Sequence, residues 1–191
     1  MRVFISVLNF IFGLYYIMII SIIDEIGEHG PLILIIMSIF LLWSNKNQLI
    51  YCIIGNLANV LINMVLKGIF QQPRPCDNPK TFKLALKNGN SFYFKNGIPF
   101  NLFGMPSGHA QSCLFSTMFI FMCLRQYNIL GVYLLISILT AYQRIKYSYH
   151  TLLQVLVGGI VGICVGYIAY RLTNNTIKGV VRAKRDDNAY I

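Results

Sequence analysis

Long apolar runs parted by short polar segments dominate this chain and restrict the folds open to it more than any other feature. Crossing a bilayer takes a helix of about 20 apolar residues, somewhat fewer where polar groups face a cavity. Six stretches qualify, at roughly 3–22, 31–43, 48–70, 107–124, 128–143 and 151–172. The second is short for a full crossing and calls for tilt, local thinning of the bilayer or borrowed flanking residues. Only 12% of the residues are charged and 56% are apolar, whereas soluble domains are about a quarter charged. The expected fold class is all-α: an integral membrane helical bundle with about six transmembrane helices.

Met1-Arg2 and the run after it invite comparison with a signal peptide. The run exceeds a usual signal core, and Asp24-Glu25 follow it with no small-x-small cleavage pattern. It is read as a retained helix. Four of the five cysteines (Cys52, Cys113, Cys123, Cys164) fall inside apolar spans, where a thiol behaves as a small hydrophobe, and Cys76 stands alone outside them. No disulfide or zinc framework is expected. A net charge of +10 raises nucleic acid as a partner, but the spans leave no soluble domain to hold a nucleic-acid fold. Anionic lipid headgroups are the partner expected instead.

The organisation expected is a single membrane domain over 1–191. Two N-terminal helices (1–47) precede a helical core (48–172) interrupted by a long connection (71–106), and a basic tail (173–191) follows. Six crossings put both termini on one side, and Lys178, Arg182, Lys184 and Arg185 in the tail favour the cytoplasm. Segments 23–30, 71–106 and 144–150 then share the opposite face. Lys and Arg nevertheless divide eight to each side on this topology. The tie is explained if several far-side cations are held for binding phosphate rather than for orientation. The sequon at Asn174-Asn175-Thr176 falls on the cytoplasmic side and is discounted.

Within the connection, Phe82, Leu84 and Leu86 alternate with Lys83, Ala85 and Lys87, and Phe92 and Phe94 flank Tyr93 beyond Asn88-Gly89-Asn90. A three-residue turn at 88–90 pairs Leu86 with Phe92 and Leu84 with Phe94, which collects the apolar side chains on one face. A short hairpin lying on the membrane or over the site is expected, with an irregular loop as the alternative.

Three polar constellations interrupt the apolar pattern, all on the face opposite the tail. Lys67 closes the third span, and Pro73 and Pro75 stiffen the turn carrying Arg74. Gly104-Met105-Pro106-Ser107-Gly108-His109 opens the fourth. There Ser107 is placed to cap the helix, the amides behind it offer a seat for an anion, and Gly108 permits close approach of a phosphate oxygen. Arg144, then His150 and Gln154, follow at the next helix ends, the last two on one helical face. Each constellation alone is compatible with snorkelling, capping or interfacial anchoring. Together they gather two of the three histidines with Lys and Arg.

The ordered set Lys67-x6-Arg74-Pro75, Pro106-Ser107-Gly108-His109 and Arg144-x5-His150 resembles the three signatures of the type 2 phosphatidic acid phosphatase (PAP2) superfamily. The resemblance covers about 48–172 and implies a PAP2/haloperoxidase-like helical core. It also implies a metal-independent hydrolase of lipid phosphates that needs no cofactor. Carried over residue by residue, His150 is the nucleophile that forms a phosphohistidine. His109 is the acid and then the base. Lys67, Arg74, Ser107, Gly108 and Arg144 hold the phosphate oxygens.

Two positions depart from the family pattern. Gln143 precedes Arg144 where serine is usual, and Gln154 stands where most members have the aspartate that orients the nucleophile. A glutamine carbonyl can fix the tautomer but cannot stabilise an imidazolium as a carboxylate does. A narrower likeness meets this point. Gln72-Pro73-Arg74-Pro75, Gly104-Met105-Pro106-Ser107 with His109 and Gln111, and His150-Thr151-x2-Gln154 are similar to the dolichyl-diphosphatase branch. That branch carries the same glutamine, although it usually has a second serine where Gly108 stands. The implied substrate is a polyprenyl diphosphate cleaved to the monophosphate on the lumenal side of the endoplasmic reticulum, with the termini cytoplasmic. A phosphatidate or broad lipid-monophosphate phosphatase, and a catalytically silent lipid-phosphate binder, are the alternatives.

Overall fold

The computed structural model describes the backbone of residues 2–89, 92–95 and 98–186 and the side chains of 15–80, 82–89 and 102–173. Helices α1 (Arg2–Leu42), α2 (Lys46–Phe70), α4 (Gly108–Leu124), α5 (Tyr127–Lys146) and α6 (Leu152–Asp186) form a bundle. The 71–106 connection carries a short α3 (Pro79–Lys87) and a two-stranded antiparallel pair, β1 (Phe92–Lys95) and β2 (Ile98–Asn101). Residues 15–42 of α1, all of α2 and α5, and residues 152–173 of α6 are long and apolar enough to cross a membrane. The shorter α4 sits among them, buried over most of its surface. The all-α membrane bundle is therefore the architecture of this chain.

The packing is inside out relative to a soluble protein. Helix α2 turns Cys52, Gly55, Asn59, Asn63 and Lys67 inward at three- and four-residue steps, while Ile53, Ile54, Leu57, Leu61 and Val65 face outward. In lipid there is no gain from burying leucine against leucine, so small and polar residues mark the contact faces. The most extensive contact, between α4 and α6, follows that rule through Gly158, Gly162 and Gly166. A Cβ on Gly158 would lie 2.5 Å from the Ser107 carbonyl oxygen, one on Gly162 would overlap the Gln111 carbonyl oxygen, and one on Gly166 would lie 2.8 Å from that of Phe115. Gly162→Ala is expected to cost about 1–3 kcal/mol by overpacking, measured as a lower unfolding temperature in detergent. Gly131→Ala on α5, where nothing lies within 4 Å, serves as the unaffected control.

Two sequence expectations are corrected. The first two expected spans are one helix, α1, with Pro31 inside it. The proline and the polar 23–30 segment read as a break, but packing on α5 keeps the segment helical. Gly27 lies against Gln143 and the Leu139 carbonyl, and Gly30 against Thr140. Lys146 Nζ binds Asp24 at 2.8 and 2.9 Å, and the Tyr147 hydroxyl donates to Asp24 at 2.6 Å. Farther along, Ser38 and the Tyr133 hydroxyl are 3.1 Å apart. Helix α1 thus runs antiparallel to α5, from Asp24 beside the C-terminal end of α5 to Ser38 beside Tyr133. The common face expected for the termini rested on a break that α1 does not have.

Second, Pro79–Lys87 is a helix and not the first strand of a hairpin turning at 88–90. Asn78 caps it, accepting from the Lys80 amide at 2.9 Å, and Pro79 begins it, the favoured arrangement for a helix start. Phe82, Ala85 and Leu86 then share a helical face and pack with Leu102 and Phe103. Strand β1 pairs instead with β2, Lys95 opposite Ile98 and Phe92 opposite Asn101. The intervening residues in the sequence, Asn96-Gly97, are a stronger two-residue hairpin signal than Asn88-Gly89-Asn90; Asn90 lies outside the described residues. The candidate span in α6 ends at Thr173 and the helix itself continues to Asp186, so the basic tail begins as a continuation of that helix. Its Lys and Arg side chains and the 174–176 sequon lie outside the described side chains.

Candidate active site at the helix ends

All eight residues marked by the sequence collect at one end of the bundle. Lys67 comes from the last turn of α2, which stops at Gln71 in the left-handed region (φ 45°) with its amide on the Lys67 carbonyl. Arg74 follows in the turn, where its backbone amide donates to Asp77 Oδ2 at 3.0 Å. Ser107, Gly108 and His109 begin α4. Arg144 ends α5, and Gln154 lies in the first turn of α6. Arg144, His150, Arg74 and Lys67 are all within electrostatic reach of the His109 ring.

The spacing from Arg144 to His150 is set by how α5 ends. Ser148 adopts the left-handed conformation (φ 55°). Its amide bonds the Ile145 carbonyl at 3.0 Å, and the amides of Tyr149 and His150 both reach the Arg144 carbonyl, at 3.0 and 3.2 Å. This is a Schellman ending, and it returns His150 beside the residue whose carbonyl closes the turn. Helix α6 starts immediately afterwards with a capping box. Thr151 Oγ1 accepts from the Gln154 amide at 3.2 Å, and Gln154 Oε1 accepts from the Thr151 amide at 3.1 Å.

Gln154 joins three segments. Its Oε1 also lies 3.3 Å from His150 Nδ1, its Nε2 donates to the Pro73 carbonyl at 3.0 Å, and its own carbonyl accepts from the Ser107 amide at 3.0 Å. The Thr151 amide on one side and the Pro73 carbonyl on the other fix which way the side-chain amide points. An amide oxygen can only accept, so this contact is a hydrogen bond in the tautomer with the proton on Nδ1, which leaves the lone pair on Nε2. Close approach of the 104–107 segment requires glycine at 104, because a Cβ there would sit 2.9 Å from both Gln154 amide atoms and 3.1 Å from Arg74 Cγ.

Burial, and then the positive charges of Arg74 and Lys67, push the His150 imidazole down to about 4, against roughly 6.5 for a free histidine. A lowered value favours the neutral ring, so His150 is predominantly unprotonated at neutral pH. In a 15N-histidine titration in detergent, the His150 signals are expected to hold constant between pH 7 and 5. A midpoint near 6.5 would contradict the buried, cation-flanked setting.

Buried donors without partners face the same end. Arg144 is 8% exposed, and its Nε and Nη2 make no hydrogen bond among the described residues. Its guanidinium lies 5.1 Å from the Tyr149 ring centroid, which holds it by a cation–π contact. Ser107 occupies the cap position of α4 but makes no side-chain capping bond, and its buried Oγ has no partner among the described residues. The expected capping role is therefore met by position and not by a hydrogen bond, which leaves the hydroxyl available. Leaving such groups unpaired is costly, and a phosphate supplies the acceptors they need. Among the described residues no group of three or more His, Cys, Asp or Glu side chains is arranged to hold a metal.

Sequence reasoning missed the buried amide network beneath the site. Asn63 Nδ2 donates to Gln111 Oε1 at 2.8 Å and to the Pro106 carbonyl at 3.3 Å, and Gln111 Nε2 donates to the Asn59 carbonyl and Oδ1 at 2.8 and 2.9 Å. It ties α2 to the start of α4 and so sets Lys67 relative to Ser107 and His109. Its signal was available, because Asn59, Asn63 and Lys67 form a polar stripe at four-residue steps on an apolar helix.

A family model of the PAP2 superfamily matches residues 48–178. The chain belongs to the PAP2 superfamily. The matched part begins in α2 and takes in every candidate site residue expected from the sequence, from Lys67 to Gln154. Similar curated proteins include dolichyldiphosphatase 1 of Homo sapiens, 32% identical over 126 residues, which cover 57% of this chain and 46% of that protein. Dolichyldiphosphatase 1 of Plecturocebus moloch is 30% identical over 150 residues, 70% of this chain and 56% of that protein. The dolichyldiphosphatase of Saccharomyces cerevisiae is 28% identical over 162 residues, 78% and 61% respectively. This PAP2 chain thus spans about half the length of these relatives. The crystal structure of Aquifex aeolicus LpxE superimposes with a TM-score of 0.57 at 21% identity, over 79% of this chain and 82% of that one. The two share a fold.

Proposed function

We propose that this chain is a membrane-embedded phosphatase that hydrolyses a polyprenyl, dolichyl-like diphosphate to the monophosphate through a phosphohistidine at His150. The observation that carries the reading is the buried His150 ring, its Nδ1 3.3 Å from Gln154 Oε1, set among Lys67, Arg74 and the donors of Arg144 and Ser107 that lack partners among the described residues. Nε2 attacks the terminal phosphorus, the N–P bond forms, and the anhydride P–O bond breaks as His109 protonates the departing oxygen. His109 then takes a proton from water, whose oxygen displaces His150 and releases inorganic phosphate. Throughout, Lys67, Arg74, Arg144, Ser107 and the Gly108 amide neutralise charge on the three equatorial oxygens.

Gln154 fits a diphosphate substrate. A phosphate leaves more readily than an alkoxide, so a nucleophile lacking a carboxylate behind it suffices. The amide also binds Pro73 through an N–H that a carboxylate lacks. Gln154→Glu is accordingly expected to disturb the Arg74 turn, because it sets an anionic oxygen against the Pro73 carbonyl. On this reading the site faces the lumen of the endoplasmic reticulum in a eukaryotic cell, with the basic tail in the cytoplasm. Phosphate release from dolichyl diphosphate and from phosphatidate, by purified wild type and His150→Ala, tests the reading. Release from the diphosphate in preference supports it. Preference for phosphatidate makes the chain a lipid-monophosphate phosphatase, and folded protein inert on both makes it a silent binder.

A further inference from the structure

The 71–106 connection carries one acid, Asp77, against five cations, and three of these cations lie on α3. At 100° per residue Phe82, Ala85 and Leu86 fall on one side of this helix, where they pack with Leu102 and Phe103. Lys80, Lys83, Leu84 and Lys87 fall within about 100° of one another on the other side, and all four are exposed. Leu84 is 60% exposed between the lysines. Asp77 precedes the helix, where its Oδ2 accepts from the Arg74 amide, and a single carboxylate leaves the three lysines in excess. The helix follows the end of α2 and precedes the start of α4, so it lies beyond the ends of the spanning helices, at the end that carries the site.

A short helix with an anchored inner face, three outward lysines and one leucine between them fits a surface that is anionic and has an apolar layer just beneath. We infer that the outer face of α3 docks on anionic lipid headgroups of the leaflet at the site end, with Leu84 entering the headgroup boundary. The lysines supply the attraction and their stems lie along the apolar boundary. Docking fixes the connection between Arg74 and Ser107 against the membrane and concentrates anionic lipid beside the site. It depends on charge and not on which phosphate the site hydrolyses.

The test labels Leu84→Cys with an environment-sensitive fluorophore, in a chain whose exposed Cys76 and Cys164 are replaced by serine. The chain is placed in nanodiscs of phosphatidylcholine with or without phosphatidylserine. Quenching by a lipid-borne quencher is expected to rise with phosphatidylserine and to fall in high salt. Lys80→Gln with Lys83→Gln and Lys87→Gln is expected to weaken docking on the order of 10²-fold, at roughly fivefold per lysine, while the matching Lys→Arg triple retains it. Equal quenching in both membranes, or quenching indifferent to the glutamine triple, overturns the inference. The same measurement on a His150→Ala chain gives the same result if docking is independent of catalysis.

Discussion

His150→Ala is expected to abolish phosphate release, lowering kcat by at least about 10⁴-fold, because the proposed reaction passes through a phosphoryl group on His150. Its effect on folding is expected to be small. The ring's contact with Gln154 is long at 3.3 Å, and Gln154 keeps its bonds to Thr151 and Pro73 without it. Single-turnover kinetics in nanodiscs, paired with an unfolding temperature, separate the two effects. A large fall in rate at unchanged stability is the expected pattern. A large loss of stability would make His150 a structural residue of the α5–α6 junction.

Arg144→Ala is expected to reduce kcat by about 10² to 10³, the usual loss when a preorganised donor to developing charge is removed. Two buried donors on one side chain, Nε and Nη2, suit paired recognition of phosphate oxygens. Arg144→Lys is therefore expected to recover little, since an ammonium lacks the planar fork. Stability offers a second readout of opposite sign. A buried cation whose donors lack partners costs folding energy, so Arg144→Ala is expected to leave the unfolding temperature unchanged or to raise it. Steady-state kinetics and thermal unfolding on the same preparations check both.

The helix ends were legible because membrane helices stop where apolar residues stop, and because the site residues sit at those stops. Lys67, Ser107, Arg144 and Gln154 all lie within a turn of a helix end, so reading the helix ends located these candidate residues. Helix α1 was misread because Asp24, Gly30 and Pro31 are local break signals. The contacts that override them, to Lys146, Thr140 and Gln143, come from more than a hundred residues away. Helix α3 was misread because Phe82, Leu84 and Leu86 alternate as a strand would, and only Leu102 and Phe103 decide which of them are buried. Gln154 was legible as a departure from a carboxylate. Its bond to the Pro73 carbonyl, which accounts for an amide there, depends on how two distant segments pack.

The most direct test of the account is to mix purified protein with polyprenyl diphosphate labelled in the terminal phosphate, quench in alkali, where phosphohistidine survives, and map the label. The account predicts transient label on His150 in the wild type and none in His150→Ala. Phosphate release at full rate with no labelled histidine, or label on any residue other than His150, would contradict it.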